Sequence, residues 1–372
     1  MVGLESPMEK LITSYSHLKK YSHLKNGVCM TGICGTGGLG KTVLAREIYE
    51  AVKHTFEGFC FIANVRGDTN KHGLPRLQQQ LLVDILEDRS IDIRDIYDGV
   101  KMIKNLLCSR RVILVIDDVN QLDQLEKLVG EHCWFGPGSW IIITTRDRNL
   151  LAQHGVDKIH KLNRLDESDS QKLFCLKAFK NEQPKECYMK LIQDVVCHSD
   201  GLPLALVTWG CLLFGKTMDE WQSAVKKYKE TYGRDIFKIL KISYDELEYN
   251  CKEIFLDIAC FFRGKKIDRV IEILESCGFE ARMGIRVLID KSLLTVANQT
   301  LWMCKPLQEM GREIVRQESR KEPGQRSRLW LQKDLFQVLM NNMVRIVSKS
   351  AFYFGCKINK DTNTISFKKL VS

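Results

Sequence analysis

The chain has 372 residues, 44% hydrophobic and 27% charged, which excludes a disordered chain and a fibrous repeat and provides material for two or three domains. Its net charge of +10 is uneven: residues 301–372 carry fourteen Lys and Arg against six Asp and Glu, whereas the first 300 carry 42 against 40. A neutral body argues against nucleic acid as the partner, and fourteen cysteines without a C-x-x-C pair argue against a zinc ribbon or a thioredoxin-type site.

The opening MVGLESPMEK lacks the apolar core of a secretory signal, and the longest apolar stretch, Leu202–Phe214, is too short to span a bilayer and contains Pro203. A cytoplasmic protein is expected, with the nucleus as a second location and no membrane partner. Cys60, Cys211 and Cys260 lie in apolar runs, where thiols of a reducing compartment serve as small buried hydrophobes.

Val28–Ile33 is a short apolar run, predicted as a strand, that leads into a glycine cluster; Val43–Val52 then reads as a helix. Between them stands a full G-x-x-x-x-G-K-T: Gly35, Thr36, Gly37, Gly38, Leu39, Gly40, Lys41 and Thr42. Glycines let successive N–H groups turn toward a phosphate where a Cβ would obstruct them, and the following helix aims its positive end at the same anion. Lys41 then reaches the β- and γ-phosphates, and the Thr42 hydroxyl is placed to ligate Mg²⁺. A merely flexible turn is the bland alternative.

Phe59–Val65 is predicted as a second strand, and Leu77–Leu86 as a helix with Leu77, Leu81, Leu82 and Ile85 on one face. Val112–Ile116 reads as a buried strand beside the phosphate loop, ending in Asp117 and Asp118. There Asp117 would hold the Mg²⁺ shell, and Asp118 would orient or deprotonate a water. Trp140–Thr145 is another strand and delivers Arg146 at its C-terminal end, where ligands of open α/β sheets bind. A cation there can sense a γ-phosphate; a surface arginine in a turn is the alternative.

Beyond about residue 165 the β-rich runs stop. Ser168–Lys180 is predicted as a helix with Ser168 as its N-cap, and Asp194–Phe214 as two helices split by Gly201-Leu202-Pro203, a motif that on its own is a proline-led helix start. Asp235–Cys277 remains helical, and Ser292–Met303 alternates like a hairpin turning near Asn298-Gln299. Helices followed by a small hairpin suggest a winged helix. Its recognition-helix candidate, Ala281–Lys291, mixes Arg282, Arg286 and Lys291 with Glu280 and Asp290, which is no clean phosphate-binding stripe. No pattern is assignable in the last forty residues.

In order, GICGTGGLGKT, FIANVR, RRVILVIDDVN, GSWIIITTRD, SDGLPLAL, FLDIACFF and LQEMGREIVRQES resemble the NB-ARC domain of plant disease-resistance receptors, over roughly residues 2–330. Asn120 and FLDIACFF point to the class whose full-length members begin with a TIR domain. The resemblance implies an α/β P-loop NTPase domain (1–165) with a parallel sheet and helices on both sides, a helical domain (166–234), a winged-helix domain (235–330) and an unassigned basic tail (331–372). It implies an ADP/ATP switch, at most a slow ATPase of the STAND type, with Mg²⁺ as cofactor. TIR and LRR parts of immune receptors are the implied partners, and a homo-oligomer the implied ATP state.

By matching positions, the family's roles fall on Gly35, Gly37, Gly38, Leu39, Gly40, Lys41 and Thr42 for phosphate, and on Thr42 and Asp117 for Mg²⁺. Asp118 and Arg146 take the water and the γ-phosphate, and Val2 and Pro203 the adenine. Where the family has Met-His-Asp, with the histidine on the ADP phosphates, this chain has Met303-Cys304-Lys305. A thiol is a poor imidazole substitute and Lys305 inverts the aspartate's charge, so a leaky or defective latch is expected. Two other classes compete: a winged-helix DNA-binding ATPase regulator, and a metabolic P-loop kinase whose acceptor pocket is not evident.

Overall fold

A computed structural model describes residues 2–20, 27–180, 184, 186–230, 234–340, 356–359 and 364–367. The chain divides into two compact units, residues 1–222 with 290–292, and residues 223–289 with 293–372.

The first unit is built on a five-stranded parallel sheet: β1 (Cys29–Cys34), β2 (Gly58–Ile62), β3 (Val112–Val119), β4 (Trp140–Thr145) and β5 (Lys158–Lys161), in spatial order β2-β3-β4-β1-β5. Its helices are α1 (Glu5–Lys20), α2 (Lys41–Val52), α3 (Val65–His72), α4 (Leu74–Leu86), α5 (Ile96–Leu107), α6 (Leu122–Leu128) and α7 (Arg148–His154). β1 and β4 are buried at every position, which is why they read as unbroken apolar runs rather than alternating ones. The Leu77, Leu81, Leu82 and Ile85 stripe of α4 is buried as the spacing predicts, in one core with Ile62, Leu114, Ile116 and Ile141.

Several boundaries differ from the sequence reading. β2 stops at Ile62, and Asn64 in a left-handed conformation opens α3 at Val65. β3 runs on through both acids to Val119. The strand carrying the acids is not next to the phosphate-loop strand, because β4 lies between them. Cys60 and Cys260 are buried as expected, but Cys211 is exposed: it falls on the outer face of its helix.

Four helices extend this unit: α8 (Glu167–Phe179), α9 (Met189–Ser199), α10 (Pro203–Leu213) and the start of α11 (Met218–Glu230). The α8 cap is Asp166, whose carboxylate accepts from Asp169 N, and not Ser168. Trp221, 1% exposed, centres this bundle; Phe174, Phe179 and Tyr188 surround its ring, and its indole N–H donates to Leu213 O at 2.9 Å.

The second unit holds α12 (Arg234–Asp245), α13 (Tyr249–Asp257), α14 (Ile267–Ser276), most of α15 (Ala281–Asp290), the hairpin β6 (Thr295–Ala297) and β7 (Thr300–Trp302), α16 (Lys305–Glu318) and α17 (Gln332–Met340). The hairpin turns through Asn298 and Gln299, both left-handed, the conformation of a type I′ turn. Residues 264–267 bond to its outer edge through Gly264 N to Leu301 O and Ile267 N to Gln299 O, completing a wing.

After α13 the helix widens into a π turn at Ile258–Phe262, and Gln308 of α16 donates to Ala259 O at 3.1 Å. A Cβ at Gly311 would stand 2.7 Å from the Ala259 Cβ, so only glycine allows α16 to seat there. Asp257, 1% exposed, receives Arg328 Nε at 2.6 Å, and Glu253 receives Arg328 Nη2 at 3.0 Å. Within the unpatterned tail, α17 is followed by an antiparallel pair, β8 (Cys356–Asn359) and β9 (Thr364–Phe367); the rest of 341–372 lies outside the described residues.

Candidate functional site

The phosphate-loop sequence follows β1 directly and ends at α2, whose first turn has no acidic residue and no capping side chain, so its N–H groups are directed at an anion's place. Two glycines are forced by their neighbours. Gly38 sits at φ 84°, accepts on its carbonyl oxygen from Leu204 N at 3.1 Å, and would bring a Cβ to 2.8 Å from the Leu204 Cβ. A Cβ at Gly37 would stand 2.9 Å from Arg146 Nη1. Arg146 therefore lies against the loop.

Lys41 is 7% exposed, and its ammonium donates to Gly35 O at 2.7 Å and Thr36 O at 3.0 Å. Both acceptors are neutral. Burial, and next the charge of Arg146, push its pKa down to about 7, with Asp118 and Asp117 acting in the opposite sense. A buried cation with neutral acceptors, beside a guanidinium and a bare helix N-terminus, is an anion cradle.

The acids stand at the C-terminal edge of the same sheet. Asp117, 4% exposed, accepts on Oδ1 from Thr42 Oγ1 at 2.9 Å and Thr144 Oγ1 at 2.6 Å. Thr144 also accepts from Asp118 N at 2.9 Å, so one β4 hydroxyl fixes both acids. The β3–β4 register shifts between Ile116 and Val119, and Asp118 takes φ 58°, a left-handed conformation that aspartate tolerates better than most residues. Its Oδ1 meets two guanidinium groups: Arg66 Nη2 donates at 2.7 Å, and Arg146 Nε forms an ion pair at 3.4 Å.

The Thr42 hydroxyl and Asp117 carboxylate are hard oxygens 2.9 Å apart beside the cradle, a donor pair suited to Mg²⁺. No cluster of three or more His, Cys, Asp and Glu able to hold a metal occurs among the described residues, so a metal here would complete its shell with phosphate and water.

The segments that carry two further sequence-derived candidates, Pro203 and Val2, each run past Leu165. Gly201 O accepts from Leu165 N at 2.9 Å, just before Pro203 opens α10, and a Cβ at Gly3, beside Val2, would meet the Leu165 side chain. Cys304 belongs to the second unit, where it is buried at the N-cap of α16 without a capping side-chain bond. Arg66 and Thr144 are in motifs read from the sequence, yet no spacing rule pairs either with Asp118. Only the strand order does, by setting the ends of β2 and β4 on either side of β3.

A parallel sheet with a glycine-rich loop, a buried lysine, a Thr–Asp pair and an arginine at its C-terminal edge defines a P-loop NTPase. The fold agrees with that of the Aeropyrum pernix ORC2 protein, solved as ADPNP–ADP complexes, at TM-score 0.53 and 13% identity over 84% of this chain and 94% of that one. Among described residues, no helix is long and apolar enough to cross a membrane. The chain carries an NB-ARC domain, matched over residues 5–184, and a winged-helix domain of the kind in Roq1-like disease resistance proteins, matched over residues 248–319. It is 43% identical to disease resistance protein RPV1 of Vitis rotundifolia over 89% of this chain and 23% of that protein. TMV resistance protein N of Nicotiana glutinosa is 40% identical over 91% of this chain and 30% of that protein. The chain thus spans about a quarter of the length of these relatives.

Proposed function

We propose that this chain is the nucleotide-switch core of a plant disease-resistance protein, binding ADP or ATP with Mg²⁺ and using slow hydrolysis as a reset. The observation that carries the reading is Lys41, a buried ammonium set between two carbonyl groups in a phosphate-loop sequence. An incoming phosphate supplies the anion that makes its charge favourable.

The loop N–H groups and Lys41 would hold the phosphates, and the segments around Pro203 and Val2, which run past Leu165, would take the base. Thr42 and Asp117 would hold Mg²⁺, which when bound neutralises charge on the β- and γ-oxygens. Asp118 would orient or deprotonate a water, and Arg146, whose Nη1 lies near Gly37, would contact a γ-phosphate. Of the two guanidinium groups on Asp118, the longer contact, to Arg146, would be the one that changes with the nucleotide.

The altered latch belongs to the same reading. Lys305 occupies the first turn of α16, where a positive charge opposes the helix dipole and an aspartate would favour it. With a thiol where the family has an imidazole donor, ADP retention would be weakened. The nucleotide that co-purifies, with Lys41→Ala as blank, tests the switch: ADP or ATP retained only by the parent chain supports it, and equal retention refutes it. A Cys304→His, Lys305→Asp double variant is expected to hold ADP longer; unchanged ADP dissociation would overturn the weak-latch reading. Fusion to TIR and LRR segments, followed by size analysis with each nucleotide, tests the implied partners and ATP-state oligomer.

A further inference from the structure

Asp118 engages two arginines unequally, and the inequality has a use. Arg66 donates a hydrogen bond to Oδ1 at 2.7 Å, whereas Arg146 approaches the same oxygen at 3.4 Å, with its Nη1 turned to Gly37 of the phosphate loop. Arg66 is 8% exposed and anchored where α3 begins: Val65 beside it is fully buried, and Asp68 N bonds back to Asn64 O. β2 neighbours β3 directly, so this anchoring point is fixed beside the acid by the sheet itself. One guanidinium is tightly held on the carboxylate, and the other spans carboxylate and loop.

We infer that Arg66 is a positioning residue for ATP-over-ADP discrimination: it keeps Asp118 compensated so that Arg146 can leave the carboxylate for a γ-phosphate. The inference rests on the nucleotide-switch reading above. Without Arg66, moving Arg146 onto a third phosphate strands a partly buried carboxylate, a penalty that falls on ATP and spares ADP. Arg66 itself need not touch nucleotide.

The test is equilibrium binding of ADP and of a non-hydrolysable ATP analogue, both with Mg²⁺, to the full chain. Arg66→Ala is expected to weaken the ATP analogue about tenfold, a usual scale for coupling between sites, and to change ADP affinity by less than about threefold. Arg66→Lys keeps a cation at the carboxylate and is expected to restore most of the discrimination. Removing the carboxylate as well, in Arg66→Ala with Asp118→Asn, is expected to abolish the loss, because nothing is then left stranded; asparagine also tolerates the left-handed backbone there. Arg66→Gln, which retains most of the stem, gives the same comparison if alanine prevents folding. Equal weakening of both nucleotides would assign Arg66 a purely structural role and overturn the inference. So would an unchanged ratio, or a loss that persists in the double variant. Those results leave nucleotide binding by the parent chain intact, whereas a parent chain that binds neither nucleotide removes the switch reading and this inference together.

Discussion

The burial of Lys41 predicts that nucleotide binding is proton-linked. In the nucleotide-free protein burial and Arg146 hold its pKa at about 7, against 10.5 for an unperturbed lysine. Each tenfold in that equilibrium is about 1.4 kcal/mol, so the site sets aside on the order of 5 kcal/mol that an anion can recover. The sign follows from which state binds the proton. Between about pH 7 and 10.5 the unfolded chain carries it and the folded chain does not, so the stability of nucleotide-free protein rises with pH through that window. Below the folded pKa the cost is present in full. A bound phosphate restores the charged form, so binding at pH 8 should take up about 0.9 proton, and at pH 6 about 0.1. The nucleotide's own terminal phosphate, with a pKa of about 6, contributes little at pH 8. Calorimetric titration of ADP in two amine buffers of different ionisation enthalpy reads the uptake directly. Affinity should also fall about tenfold from pH 8 to pH 9. Lys41→Arg, charged throughout, should show no uptake if it binds. A binding enthalpy independent of buffer at pH 8 would mean that Lys41 is already charged in the empty loop, and the reasoning would fail.

Gly38→Ala should abolish nucleotide binding in equilibrium dialysis and cost roughly 1–2 kcal/mol of stability from its left-handed backbone alone, before the contact with Leu204 is counted. Arg328→Ala leaves Asp257 buried without that partner and should cost about 3–5 kcal/mol, seen as a lower unfolding midpoint for the second unit. Replacing the Arg328–Asp257 pair by Met and Leu should cost less than the single change. Gln299→Gly relieves one left-handed position of the wing and should stabilise by about 0.5–1 kcal/mol, measurable by urea titration.

Legibility followed burial and chain order. β1, β3 and β4 were readable because a strand covered on both faces must be apolar throughout, and the α4 stripe because one helical face is buried. β5 is not legible in the sequence because its Lys-Ile-His-Lys is half exposed and carries no apolar run. α5 was obscured by Gly99, which reads as a breaker; in the fold it allows close approach to Gln78, and Asp95 caps the helix by accepting from Tyr97 N and Asp98 N. The phosphate loop announces itself locally because one turn contains all its chemistry. The environment of Asp118 does not, since Arg66 arrives from beyond β2 and Thr144 and Arg146 from the end of β4, and only the β2-β3-β4 order brings them together.

The modest strand β5 has a consequence for how the protein can be stored. It borders the sheet beside β1, and Leu162 N continues the pairing to Cys34 O, at the root of the phosphate loop. An open sheet border is a template for a second chain, and one so close to the loop would tie misassociation to loss of ligand. The exposed Lys158 and Lys161 set like charges along that border in every copy, so neighbouring molecules repel where they would otherwise zip together. Pairing of two copies edge to edge beside the loop is thereby disfavoured.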